Sequence, residues 1–106
     1  MSIAACIAAT LAHAQIATAA TASVSSGTLT YTVRTGVVRV YRGPADASPR
    51  LVGTIRAGET GRVRAGEWVV ERQGDVHFGA NRGRRPVVIL LATLFRTGSP
   101  ASIPAG

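Results

Sequence analysis

The amino-acid sequence predicts an all-β domain, built as a barrel or a sandwich. From Thr28 onward, short runs alternate apolar with polar residues and are rich in β-branched side chains, a pattern typical of half-buried strands. Turn residues recur about every eight to twelve positions in this part of the chain. No stretch after Ser25 has the apolar spacing of an amphipathic helix.

The predicted strands follow one another with short turns between them. Residues 28–34 and 37–42 alternate on either side of Thr35-Gly36, and two such runs around a short glycine turn predict a β-hairpin. A loop with two prolines, residues 43–49, precedes a strand at 51–56. Further strands are predicted at 68–71, 76–81 and 86–95. The last of these, PVVILLATLF, is almost wholly apolar and is predicted to be buried on both faces.

A five-residue pattern occurs twice between these strands. Residues 55–59 read IRAGE, and residues 63–67, eight positions later, read VRAGE. A period of eight is too short for a solenoid repeat, so the echo predicts two strand-ending turns of the same kind.

Length and charge limit the function classes. A chain of 106 residues holds one small domain, and its single cysteine, Cys6, excludes an internal disulfide and a Cys-rich zinc module. The net charge of +7 comes from twelve arginines against five acids, all between Arg34 and Arg96. Because the arginines are dispersed and aromatic residues make up only 5% of the chain, we expect no nucleic-acid partner.

The uncharged, alanine-rich residues 1–22 predict an export signal. Ala12 and Ala14 stand where signal peptidase requires small residues, directly before Gln15. Cleavage there would remove Cys6 and give a periplasmic or secreted protein. The alternative is a replaced N-terminus, from a misassigned start or a frameshift, in a cytoplasmic protein. We expect a flexible or helical segment here, and no membrane span, since His13 and Gln15 interrupt the apolar run.

Residues 66–81, GEWVVERQGDVHFGAN, resemble the second motif of the cupin family, G-x5-P-x-G-x2-H-x3-N, at every spacing. Arg72 stands where the family usually has proline. Residues 82–86, RGRRP, resemble the continuation of this motif in small cupins, and residues 31–40 resemble the hairpin that closes the first motif. The resemblance covers residues 29–100 and implies a cupin-like jelly-roll β-barrel over residues 28–100, complete or incomplete.

The resemblance also implies a metal ligand at His77. This residue alternates with Val76 and Phe78, so its imidazole faces the opposite side, which in cupins is the barrel interior. The family's other ligands belong to a first motif, G-x5-H-x-H-x3–4-E-x6-G. When the last glycine of that motif is aligned with Gly36, Leu29 occupies the position of the glutamate ligand. The two histidine ligands fall within residues 22–25, which contain no histidine, so none of these three ligands is present.

Other singled-out residues have simpler expected roles. Glu59, Glu67 and Glu71 are expected in turns or on the surface, and Asn81 in a turn or at the rim. Trp68 is expected as a core or rim aromatic. The cluster of Arg82, Arg84 and Arg85 is expected to be a solvated turn, with contact to an anionic ligand as the lesser alternative.

The sequence therefore predicts a small exported cupin-like protein with a degenerate pocket for a divalent metal (Fe, Mn, Ni or Zn) or a small molecule. The resemblance also implies a homodimer. One alternative is a non-catalytic β-fold binding module without metal, in which a neighbouring Asn or backbone group satisfies His77. Another is a truncated or frameshifted cupin fragment. The chain has no Ser-His-Asp motif, phosphate loop or CxxC, so no reaction is predicted.

Overall fold

The computed structural model describes residues 2–4, 13–15, 19–44, 47–94 and 102–104. All regular structure in these ranges is β-strand. The strands in chain order are β1 (Ser2–Ala4), β2 (His13–Gln15), β3 (Ala19–Ser26), β4 (Thr28–Thr35), β5 (Val37–Arg42), β6 (Arg50–Arg56), β7 (Thr60–Arg64), β8 (Glu67–Arg72), β9 (Val76–Ala80), β10 (Val88–Leu94) and β11 (Ser102–Pro104). The all-β prediction is confirmed. A helix long and apolar enough to cross a membrane is absent from the described ranges.

The strands form two antiparallel sheets, an arrangement compatible with a β-sandwich. The six-stranded sheet has the order β1-β10-β3-β8-β5-β6, and the five-stranded sheet has the order β11-β2-β9-β4-β7. From β3 to β10, the chain changes sheet after every strand except between β5 and β6. Strands that are consecutive in sequence therefore mostly belong to different layers.

The core consists of the side chains that the two sheets direct toward each other. In β4 the residues Leu29, Tyr31 and Val33 are buried, while the threonines between them are more exposed. Such period-two alternation puts one set of side chains inside and the other in water. The remaining buried apolar residues of the core are Ala22, Val24, Val38, Val40, Ile55, Val63, Val69 and Val87.

Three tight turns of one kind carry the chain between the layers. They span residues 56–59, 64–67 and 72–75, each with arginine first, glycine third and an acid fourth. Gly58, Gly66 and Gly74 have φ of 86°, 88° and 89°, the left-handed conformation that a type II turn requires at its third residue. The acid's carboxylate accepts the arginine's backbone N–H: Glu59 from Arg56 (2.8 Å), Glu67 from Arg64 (2.8 Å) and Asp75 from Arg72 (3.0 Å). The two predicted turns are confirmed, and the structure adds a third eight residues further on.

The predicted hairpin between β4 and β5 is wrong. β4 pairs with β7 and β9 in the five-stranded sheet, whereas β5 pairs with β6 and β8 in the six-stranded sheet. Gly36, with φ of 86°, forms a corner between the two layers. A Cβ on this glycine would lie 2.6 Å from Asp75 Oδ1, so the corner also needs glycine for space.

The strands β10 and β3 bear on two further expectations. β10 is not buried on both faces, because Leu90 is 51% exposed. β3 lies between β10 and β8 in the six-stranded sheet, and its Ala20, Ala22 and Val24 are buried. Residues 19–22, assigned from the sequence to a leader or a replaced N-terminus, are thus extended in this strand, and the described parts of residues 1–22 contain no helix.

Candidate functional site

The candidate site is a cluster of three polar side chains between the sheets. Glu71 lies near the end of β8 in the six-stranded sheet, and His77 and Tyr31 lie on β9 and β4 of the five-stranded sheet. Glu71 and Tyr31 are almost completely buried, and the His77 side chain is 14% exposed. We call these three residues the interlayer cluster.

The turn at residues 72–75 places Glu71 opposite His77. The two residues flank this turn, and because it links the two layers, the end of β8 faces the start of β9 across the core. Thr35 fixes the turn further, since its hydroxyl oxygen accepts the N–H of Val76 at 2.9 Å. The Glu71 Oε2 atom lies 3.1 Å from His77 Nε2, which is an ion-pair distance when the imidazole is protonated.

Strand register brings Tyr31 to the same place. Val33 pairs with His77 and Tyr31 with Gly79, so Tyr31 and His77 are diagonal neighbours on the inner face. Their rings stack with centroids 5.1 Å apart and planes 10° apart. Gly79 leaves room for Leu29, whose Cδ1 atom lies 2.9 Å from the point that a Cβ would occupy.

Tyr31 donates its phenolic hydrogen to Glu71. The Oη to Oε2 distance is 2.5 Å, within the range of hydrogen bonds from a hydroxyl to a carboxylate. Burial raises the pKa of Tyr31 far above its ordinary value of 10.0, and the charge of Glu71, the hydrogen bond to it and the charge of Asp75 raise it further. The phenol therefore stays protonated and stabilises the buried carboxylate.

His13 stands at a notable register position beside this cluster. It lies on β2 and is the direct partner of His77 on β9. In antiparallel pairs, opposite residues have Cα atoms about 4.5–5.5 Å apart. The two histidines of the chain are therefore at neighbouring positions of one sheet, although sequence reasoning placed His13 in the leader.

The other predicted residues have different surroundings. Glu59 is exposed in its turn, as expected. Glu71 is buried, so the expected turn or surface role is wrong for its side chain. Glu67 lies in a turn, as expected, but its side chain is buried as well. Glu67 both accepts a turn N–H and pairs with Arg42 at 3.5 Å. Asn81 is a turn residue, as predicted: it donates to the Arg85 carbonyl at 2.7 Å and accepts from Gly83.

Trp68 and the predicted arginine cluster lie away from the interlayer cluster. Trp68 stacks on Tyr41, with ring centroids 4.7 Å apart, and its indole N–H donates to the Gly43 carbonyl at 2.7 Å. Arg82, Arg84 and Arg85 are all exposed in the connection between β9 and β10. Arg82 lines a groove on the outer face of the five-stranded sheet.

The donor atoms of the interlayer cluster suit a divalent metal ion in kind. Two ligand atoms about 2.0–2.2 Å from one metal are about 2.8–3.6 Å apart at octahedral or tetrahedral angles, and the 3.1 Å between Nε2 and Oε2 falls in this range. Among the side chains that the structure describes, no three His, Cys, Asp or Glu residues form such a group. No protein-family model, curated protein or solved structure matches this chain.

Proposed function

We propose that this chain is a small cupin-like binding protein that holds a divalent metal ion between its two sheets. His77 and Glu71 are the ligands that the cluster supplies. The observation that carries the proposal is the approach of a buried carboxylate from one layer to an imidazole of the other layer. Iron, manganese, nickel and zinc all accept this combination of nitrogen and oxygen donors.

The chemistry of the residues supports this proposal in two ways. A carboxylate as buried as Glu71 is costly unless a cation or hydrogen-bond donors compensate it. Tyr31 supplies one donor, and its hydrogen bond orients the carboxylate toward His77, as the outer partners of metal ligands do. A metal held there would act as a Lewis acid toward a small ligand that enters the site.

Metal titration of the full chain, stripped with a chelator, tests the proposal. We expect one equivalent of zinc, nickel, manganese or ferrous iron to bind in calorimetry. His77→Ala and Glu71→Gln should weaken binding by more than the ~10–100-fold that loss of an outer partner costs. Circular dichroism checks that each variant is folded, and cobalt substitution of the wild-type chain reports imidazole ligation independently of any variant.

Glu67→Gln is the matched control for Glu71→Gln. Both glutamates lie on β8, four residues apart, and both are buried, but Glu67 contacts Arg42 rather than His77. Equal metal binding by His77→Ala, Glu71→Gln and Glu67→Gln would refute the proposal.

A metal-free binding module is the second candidate. It is favoured by the fact that a single oxygen, Glu71 Oε2, both accepts the Tyr31 hydrogen bond and approaches His77. In that case the cluster is a closed polar network within the core, and none of the four metals binds stoichiometrically to the wild-type chain. The same titration therefore decides between the two candidates.

A further inference from the structure

A groove on the outer face of the five-stranded sheet is lined by three arginines. Arg62 and Arg64 come from the edge strand β7, and Arg82 comes from the segment after β9. Thr28 and Thr30 of β4 lie opposite Arg64 and Arg62, and Gly83 completes this part of the wall. The groove is open and has a volume of about 810 Å³. It faces away from the interlayer cluster.

The strand geometry fixes the backbone positions from which two of the arginines project. Arg62 and Arg64 are two residues apart, so they project from one face of β7 at a spacing of about 6.8 Å. Val63 between them is completely buried and anchors the strand. A slip of one residue would turn both arginines into the core, so the register that positions them is strongly determined.

The charge of this groove is not compensated by the protein. Within the described ranges, no carboxylate lies within ion-pair distance of Arg62, Arg64 or Arg82. The acids of these ranges are engaged elsewhere: Glu59 and Asp75 in their turns, Glu67 in its turn and with Arg42, and Glu71 in the interlayer cluster.

The groove also offers hydroxyl donors. The hydroxyls of Thr32 and Thr60, further along the same strand pair, bond to each other at 2.8 Å. Thr28 and Thr30 have no side-chain hydrogen bond to any described residue. Three arginines and two threonine hydroxyls thus line one groove without a side-chain acceptor among the described residues, and guanidinium groups bind phosphate and carboxylate oxygens in bidentate geometry.

We propose that this groove binds a small polyvalent oxyanion that carries phosphate or carboxylate groups. Three positive charges, two of them on one strand, match a ligand with about three negative charges, and neighbouring anionic groups can contact Arg62 and Arg64 at the same time. Among the described residues, no aromatic side chain lines the groove. It therefore lacks the stacking surface with which proteins hold the bases of a single-stranded nucleic acid.

The test is a calorimetric titration of the full chain with pyrophosphate, citrate and inorganic phosphate at constant chloride concentration. Pyrophosphate binding above citrate identifies a phosphate-bearing ligand, and the reverse order identifies a polycarboxylate. Inorganic phosphate should bind more weakly than either, because it carries less negative charge. If none of the three binds the wild-type chain at millimolar concentration, the proposal is overturned.

Matched arginine variants separate a built site from general charge attraction. Arg62→Gln and Arg64→Gln should each weaken binding of the preferred anion about tenfold or more, since each removes charged hydrogen bonds. Arg39→Gln is the control, because Arg39 is an exposed arginine on β5 of the other sheet and its loss changes the net charge equally. Equal weakening in all three variants would overturn the proposal.

Discussion

Replacement of Tyr31 by phenylalanine isolates the contribution of one buried hydrogen bond to stability. The substitution removes only the phenolic oxygen, which donates to Glu71 at 2.5 Å, and it retains the ring that stacks on His77. It leaves a buried carboxylate without its hydroxyl donor.

The size of the effect follows from the charge of the acceptor. Hydrogen bonds to charged groups contribute about 1.5–3 kcal/mol, roughly twice the contribution of neutral ones. Because both partners are buried, water cannot replace the lost donor without entering the core. We therefore expect Tyr31→Phe to lower the free energy of unfolding by about 1.5–3 kcal/mol.

Urea denaturation followed by circular dichroism, near neutral pH and with chelator present, measures this loss. The dependence on urea concentration should keep its slope, since the surface exposed on unfolding is unchanged. Tyr41→Phe is the control: its ring also stacks on an aromatic side chain, but its hydroxyl has no hydrogen-bond partner among the described residues. We expect that variant to change stability by about 0.5 kcal/mol or less. Equal losses in the two variants would refute the reasoning.

The remaining predictions concern pH and backbone conformation. Since the pKa of Tyr31 is raised in the folded state, the unfolded chain alone loses this proton just above pH 10. Below that pH, the contribution of Tyr31 to the free energy of unfolding should be constant. Above it, the free energy of unfolding should fall by up to about 1.4 kcal/mol per pH unit. Urea titrations of Tyr31→Phe at the same pH values should lack this decrease. Gly58→Ala should cost about 1–2 kcal/mol in thermal or urea unfolding, because its φ is 86° and no atom lies within 4 Å of the added methyl group. Gly53→Ala should not destabilise, since Gly53 has no positive φ and its Cβ would lie 3.9 Å from Val40; equal losses at both glycines would contradict this account.

The sequence was sufficient to place most strands of the domain but not to pair them. β5 agrees with its predicted bounds, and β4 extends by one residue, because alternation and turn glycines are local signals. Alternation determines which face a residue occupies, whereas the partner of a strand depends on the whole chain. The corner at Gly36 therefore could not be distinguished from a hairpin turn. β3 was not predicted because alanine, serine and threonine dominate it and give little apolar contrast.

The candidate site was predicted in part. His77 was found from its motif and its inward parity, both of which are local. A turn or surface role is the expectation for Glu71, although this residue shares its strand parity with the buried Val69. The turn at residues 72–75 has the same pattern as the two turns that the sequence predicts, with arginine first, glycine third and an acid fourth. Because a turn of this kind links the two layers, it brings the residues on either side of it together across the core. This pattern is the sequence signal that relates Glu71 to His77. Tyr31 could not be connected to either residue without the register of β4 and β9.

The alternation of the chain between the two layers has a consequence for the kinetics of folding. Among the described strands, only β5 and β6 are neighbours both in sequence and in a sheet, whereas β3 depends on β10 from the far end of the domain. Most hydrogen-bonded ladders therefore close only after a long loop has closed, and topologies dominated by such contacts fold in milliseconds to seconds rather than microseconds. On a ribosome, the six-stranded sheet stays incomplete until β10 has emerged, so one edge of β3 remains unpaired until then and is open to pairing with another chain.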